Sequence, residues 1–228
     1  MTTTITTNPA PLLRLLAWMS PAFPTGAYAY SHGLEWPADR GEITDGASLQ
    51  SWLTDILRHG SGRNDAILLR QSHRACKDLD ALAEITEIAL AICASAERRA
   101  ETTGQGNAFL AAAAAWHPVA LRALADRVGD LPYPVAVGVL AGGHGIDADA
   151  ACCALLQGFA ANLISACVRL VPLGQSTGLA VLAALEPTII AVADATRTAG
   201  LDHLGGFSFR ADLAAMHHET QYTRLFRA

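Results

Sequence analysis

The chain of 228 residues contains a single lysine, Lys77, and has few charged side chains of any kind. Charged residues make up 16% of the sequence and aromatic residues 6%, whereas hydrophobic residues make up 51%. The basic residues are scattered and the formal net charge is -5, so the sequence lacks the basic patch that is typical of nucleic-acid-binding proteins. No G-x-x-x-x-G-K-[ST] motif precedes Lys77, which argues against a nucleotide-binding loop in this chain.

Cysteine is also scarce, with five residues and no C-x-x-C pair. An odd number of cysteines with two adjacent members, Cys152 and Cys153, makes a poor disulfide framework. The N-terminus shows neither the basic region nor the small-residue cleavage site of a secretory signal. We therefore expect a cytoplasmic protein.

One uncharged segment, residues 151–168, approaches the length of a membrane span. It is rich in alanine and contains Gln157, Asn162 and Ser165, whereas lipid-facing helices are richer in larger apolar side chains. The segment is predicted to be a buried central helix, and no membrane association is expected.

Helical periodicity recurs along the chain, and no alternating strand or hairpin dipeptide is evident. Asp45 or Ser48 is expected to cap one helix and Asp147 the central one, while Pro187 is expected to separate two helices near residues 178–198. The last helix is expected to run from Asp212 to Phe226. The predicted fold is all-α, a single-domain bundle of roughly eight to ten helices over residues 1–228.

Two short motifs suggest chemistry. Residues 174–178 match G-x-S-x-G, but a nucleophile elbow needs a strand before the serine. A helix-to-helix turn in which Ser176 or Thr177 caps the next helix is favoured, and a helical hydrolase that uses Ser176 remains the alternative function. No catalytic residue is assigned.

His217 and His218 are weak candidates for nickel or zinc ligands. The sequence from His218 to Tyr222 misses the second histidine of H-E-x-x-H, and no complete ligand set is visible nearby. A solvated or interface-facing histidine pair is the favoured interpretation, and no cofactor is assigned to this chain.

The segment SPAFPTGAYAYSHGLEW, residues 20–36, concentrates prolines, glycines and aromatic side chains in a turn-rich stretch. We call it the opening segment. Such a stretch can present aromatic anchors to a partner protein, and the alternative for Phe23 and Tyr28 is that their rings belong to the core.

The opening segment resembles the N-terminal motif of the urease accessory protein F (UreF) family. Four further blocks are similar to that family in the same order: ERRAETTGQGNAF, YPVAVGVLAGGHGI, ACVRLVPLGQSTG and the C-terminal HETQYTRLFRA. Together these blocks span nearly the whole chain.

The resemblance implies a non-enzymatic, all-helical and usually dimeric protein. It implies that the chain joins UreD (also called UreH) and the GTPase UreG to load nickel into apo-urease, with GTP bound by UreG and nickel handled by the complex. Residues 1–36 and the C-terminal tail, residues 206–228, are then the expected partner-binding segments. The candidate partner-binding residues are Phe23, Pro24, Tyr28, Tyr30, Glu35, Tyr222, Arg224, Leu225, Phe226 and Arg227.

A short terminal helix has little to pack against in a free protein. We therefore expect the tail to become ordered when UreD binds, with Arg224 bridging backbone carbonyls.

Overall fold

The computed structural model describes residues 8–227 and contains only helices, turns and irregular segments within that range. The eleven α-helices are α1 (Ala10–Trp18), α2 (Glu35–Asp39), α3 (Gly46–His59), α4 (Ser61–Arg74), α5 (Leu79–Ala91), α6 (Ala96–Ala112), α7 (Val119–Val128), α8 (Tyr133–Gly143), α9 (Ala148–Leu170), α10 (Gln175–Ala195) and α11 (Phe209–His218). Short 3-10 turns lie at Ala27–Ala29, Ala113–Trp116 and Leu201–His203. The all-α prediction is confirmed. The number of α-helices is slightly above the expected eight to ten, because it includes α2, which has only five residues.

The capping residues predicted from the sequence lie at the starts of α3 and α9. The Asp45 carboxylate accepts a hydrogen bond from the Ser48 backbone N–H at 2.8 Å, and the Ser48 hydroxyl accepts one from the Asp45 N–H at 3.1 Å. This capping box begins α3. Asp147 similarly accepts from the Ala150 N–H at 2.9 Å at the start of α9.

Helix α8 lies in the centre of the bundle and packs against α4, α6 and α9. Its residues from Pro134 to Ala141 are all buried. Gly142 permits the close approach of α4, because a Cβ atom there would lie 2.6 Å from the His73 carbonyl oxygen. One continuous hydrophobic cluster joins these helices to α3, α5 and α10, which confirms a single-domain bundle.

Helices α9 and α10 are long and apolar enough to cross a membrane by length and composition alone. In α9, half of the most apolar window is buried inside the protein, and Ala151, Leu156 and Leu163 are among its fully buried side chains. The prediction that this segment forms a central packed helix is confirmed.

The expected break at Pro187 is wrong, because α10 continues through this proline. Proline removes one helical hydrogen bond and crowds the preceding turn. Here Leu185, Thr188 and Ile189 are buried where α10 packs against α3 and α9. This packing compensates for the lost hydrogen bond.

The expectation of a terminal helix up to Phe226 is also wrong. Helix α11 begins at Phe209 and ends at His218, and residues 219–227, called the terminal segment below, are not helical. The backbone N–H groups of Leu225, Phe226 and Arg227 bond to distant parts of the chain instead of continuing the helix.

Candidate functional site

The opening segment and the terminal segment lie against each other. Gly33 makes the approach of α11 possible: it has a φ of +75°, and a Cβ atom there would lie 2.7 Å from the Ala215 Cα. The side chain of Glu35, in the first turn of α2, then faces the chain end. The two segments therefore form one structural unit despite their distance in sequence.

Glu35 is the residue that holds the terminal segment. Its carboxylate accepts hydrogen bonds from the backbone N–H groups of Leu225 at 2.6 Å and Phe226 at 3.0 Å. Glu35 is only 7% exposed, and hydrogen bonds to a buried carboxylate are stronger than those between neutral groups. The terminal segment is thus tied to α2 by two adjacent backbone donors.

His218 lies between two carboxylates at the end of α11. Its Nε2 is 3.2 Å from Glu35 Oε2, and its Nδ1 is 2.6 Å from Glu97 Oε2. The fully buried ring therefore lies between Glu35 on α2 and Glu97 on α6 and links the two helices to the end of α11.

Arg224 joins the same cluster from the terminal segment. Its Nη1 donates to Glu97 Oε1 at 2.9 Å, so its partner in the free chain is a carboxylate, and the bridge to backbone carbonyls in a complex with UreD stays a prediction. The Arg227 backbone N–H donates to the Ala29 carbonyl at 2.9 Å. Together these contacts attach the terminal segment to both the opening segment and α6.

Arg169 on α9 contacts both the opening segment and the terminal segment. Its Nη2 donates to the Tyr28 carbonyl at 2.9 Å, and its guanidinium carbon lies 4.3 Å from the centroid of the Phe226 ring. A guanidinium over an aromatic face is a favourable cation–π contact. Phe226 is consequently buried, with 5% of its surface exposed, so the expectation that the chain end has little to pack against is wrong.

The ten candidate partner-binding residues divide by exposure. Glu35 and Phe226 are buried, and Phe23 and Tyr30 are half-buried. Phe23 packs its ring 5.4 Å from that of Phe109, between centroids, and therefore contributes to the core. The exposed residues are Pro24, Tyr28, Tyr222, Arg224, Leu225 and Arg227.

Three of the exposed residues present large side chains on the joined segments. Tyr28 is 74% exposed, Leu225 is 64% exposed, and Tyr222 is fully exposed. A cavity of about 600 Å³ is lined by residues of both segments, including Pro24, Tyr28 and Leu225. We call this exposed area the joint surface.

The two histidines at the end of α11 diverge. His217 stacks on Trp36 with 4.6 Å between ring centroids, whereas His218 is enclosed by Glu35 and Glu97. Among residues 8–227, no group of three or more His, Cys, Asp or Glu side chains is arranged to hold a metal ion.

Ser176 lies in the first turn of α10 and is exposed. Helix α9 and an irregular turn precede it, so the strand that a nucleophile elbow requires is absent here. The expected cap by Ser176 or Thr177 is wrong: Gly174 occupies the N-cap, and no side chain bonds to the helix start in this part of the structure.

Sequence reasoning missed Glu97 and Arg169 as members of this site, and its interpretation of His218 as solvated or interface-facing is wrong, because this side chain is fully buried. Glu97 and His218 are 121 positions apart, so no local spacing could connect them. A usable signal existed for Arg169 and Glu97, since both lie in blocks that resemble the same family as the opening segment.

Comparison with known proteins gives a consistent result. The UreF family model matches residues 43–186. A protein of Rhodopseudomonas palustris strain BisB18 is 49% identical over 223 residues, which cover 96% of this chain and 92% of that protein. A protein of Bradyrhizobium sp. strain BTAi1 is 48% identical, over 95% of this chain and 92% of that protein. A protein of Methylorubrum populi is 47% identical, over 95% of this chain and 98% of that protein. All three relatives are named urease accessory protein UreF.

Proposed function

Because the chain belongs to the UreF family of urease accessory proteins, we propose that it is an adaptor in urease maturation. In this role it joins UreD (UreH) and the GTPase UreG so that nickel is loaded into apo-urease. The adaptor works in the cytoplasm as a homodimer, and it has no catalytic residue of its own. GTP is bound by UreG, and nickel is cargo of the assembled complex.

The joint surface is the observation that carries this proposal. It presents exposed Tyr28, Tyr222 and Leu225 on two segments that are joined by buried or backbone hydrogen bonds. Tyrosine supplies a large contact area at a modest cost in conformational entropy, and rigid aromatic side chains are common at the centres of protein interfaces. We propose this surface as the site that meets UreD.

Glu35 and His218 serve this surface as positioning residues. Both are buried, so their proposed role is to hold residues 219–227 in place and not to touch a partner directly. A segment that is ordered before binding loses less entropy in the complex. The buried cluster thus supports partner affinity through the exposed residues above it.

Arg224 is the proposed link to UreG. Its side chain remains 41% exposed while one guanidinium nitrogen bonds to Glu97. The guanidinium has five N–H donors in a fixed fork, which leaves others free for an acceptor on a partner.

Size-exclusion chromatography of the chain mixed with the cognate UreD and UreG, with and without GTP, tests the adaptor role. We expect one co-eluting species that contains all three proteins and that does not form when this chain is omitted. Separate elution of UreD and UreG in the presence of the chain would contradict the proposal.

The Arg224→Ala variant tests the link to UreG. The variant is expected to keep the dimer and at least part of its affinity for UreD, but to lose UreG recruitment and urease activation. Arg127→Ala is a matched control, because Arg127 also forms an exposed ion pair, with Asp80 at 2.6 Å. Equal capture of UreG by both variants would exclude the proposed role of Arg224.

A further inference from the structure

A second polar site lies away from the joint surface. A cavity of about 300 Å³ opens where the first turns of α4 and α11 approach the chain between α5 and α6. Its polar lining includes Ser61, Asn64, Asp65, Cys93, Arg98 and Asp212. The family-related function proposed above makes no use of this cavity.

Arg98, the only basic side chain in that lining, already has a carboxylate partner. Arg98 Nη1 is paired with Glu101 Oε2. Burial alone would raise the pKa of Glu101, but Arg98 and His32 together lower it to about 2. Glu101 is therefore ionised and is the carboxylate with which Arg98 pairs, while Arg98 only partly offsets the effect of burial on Asp65 and Asp212.

Asp65 and Asp212 are the carboxylates without such a partner. Neither forms an ion pair with any of residues 8–227. Burial raises the pKa of Asp65 to about 7, against the opposing effect of Arg98. Burial likewise raises the pKa of Asp212. Both side chains would gain from a positive charge in the cavity.

Asn64 provides an independent sign of an unfilled site. Its Nδ2 donates to the Gly206 carbonyl at 2.8 Å, which fixes the amide so that Oδ1 is the free acceptor. This oxygen is buried and has no hydrogen-bond partner in the described part of the chain, and the residue is only 9% exposed. A buried acceptor without a donor is costly and calls for an explanation.

The rest of the wall is apolar and includes Leu68, Ile92, Pro132 and Pro134. Carboxylates and an amide oxygen beside an apolar wall suit a cation that carries both N–H donors and a short hydrocarbon stem. We propose that this cavity binds a small alkylammonium ion. Its ammonium group meets Asp65 and Asp212, with Asn64 as a further acceptor, and its stem lies along the apolar wall.

Affinity for such an ion depends on pH in a defined direction. The alkylammonium ion stays charged well above neutral pH, whereas Asp65 loses its proton near pH 7. Asp212 lines the same cavity, and the other charged or titratable groups near Asp65 are Arg98 and Glu101 on α6 and Cys93 just before it. Burial raises the pKa of the Cys93 thiol, which therefore remains neutral. Affinity should thus rise between pH 6 and pH 8.

The test is a titration of the full chain with n-butylammonium chloride at constant ionic strength, followed by calorimetry or NMR chemical shifts. Wild type is expected to bind saturably at pH 8 and roughly tenfold more weakly at pH 6, where about nine-tenths of Asp65 is protonated. n-Butanol, which has the same stem without the charge, should bind more weakly at both values.

Asp65→Asn should bind n-butylammonium at least about tenfold more weakly than wild type at pH 8 and show no pH dependence between pH 6 and pH 8. Asp212→Asn should also weaken binding. Asp126→Asn is the matched control, because Asp126 is an exposed carboxylate on α7 outside the cavity. Absence of saturable binding to wild type, or equal affinity of wild type and Asp65→Asn, would overturn the proposal.

Discussion

Two acidic clusters in this protein differ in how their charges are balanced. Around His218, the carboxylates of Glu35 and Glu97 have an imidazole, a guanidinium and two backbone N–H groups as partners. Around the cavity, Asp65 and Asp212 have no cationic partner within residues 8–227, because Arg98 is paired with Glu101. The first cluster fixes a chain end, whereas the second has capacity for a ligand.

The largest effect is expected from breaking the balanced cluster. His218→Ala removes the ring between buried Glu35 and half-buried Glu97, so that each carboxylate loses its imidazole partner. We expect the free energy of unfolding to fall by about 3 kcal/mol in chemical denaturation. His217→Ala is the control and should cost less than about 1 kcal/mol, since His217 is exposed and stacks on Trp36. A loss in His218→Ala no larger than in the control would show that the cluster is not a structural anchor.

Glu35→Gln weakens the same cluster more gently. Glutamine has a single neutral acceptor oxygen, so one of the two backbone donors of the terminal segment loses its acceptor and the other bonds to a weaker one. Amide hydrogen exchange at Leu225 and Phe226 should become about tenfold faster, while exchange in α8 stays unchanged. Glu42→Gln, which alters only the exposed pair with Arg210, should leave both amides as protected as in wild type. Unaltered protection in Glu35→Gln would mean that other contacts hold the segment.

Asp65→Asn is expected to raise the free energy of unfolding, whereas His218→Ala lowers it. The pKa of Asp65 is raised in the folded protein to about 7, so the folded state holds this proton more tightly than the unfolded chain. As pH rises from about 4 to about 7, the contribution of Asp65 to the wild-type free energy of unfolding therefore falls, and this contribution levels off above about pH 7. The variant should be more stable than wild type by about 1 kcal/mol or more at pH 8 and similar at pH 4. Thermal or chemical denaturation at both pH values checks this, and a less stable variant at pH 8 would contradict it.

The smallest effect is expected at Ser176, which belongs to neither cluster. Ser176→Ala should change the free energy of unfolding by less than about 0.5 kcal/mol, because the side chain is exposed and caps no helix. Urease maturation should continue at the wild-type level in a reconstituted assay. A variant that folds normally yet abolishes maturation would show that this residue has a chemical role after all.

The sequence predicted those features that depend on neighbouring residues. The caps at Asp45 and Asp147 follow from short-range hydrogen bonds, and they are found where expected. The helix through Pro187 was not foreseen, because packing against α3 and α9 outweighs the local preference of proline.

The candidate site was predicted only in outline. The opening and terminal segments were identified, but the contacts that join them connect residues 190 positions apart for Glu35 and Leu225. Sequence periodicity extended the last helix to Phe226, because it could not reveal that Glu35 takes up the backbone donors of the chain end. The buried positions of Glu35 and Phe226 follow from that tertiary contact.

The central claim is that the joint surface meets UreD, and a comparison of binding affinities tests it most directly. The double variant Tyr28→Ala/Tyr222→Ala removes the two most exposed aromatic side chains of that surface. Its control is Val119→Ala/Leu179→Ala, which removes exposed apolar side chains from α7 and α10. We expect the tyrosine variant to bind purified UreD at least about tenfold more weakly than wild type, with unchanged helicity by circular dichroism, while the control binds normally. Wild-type affinity in the tyrosine variant would contradict the claim.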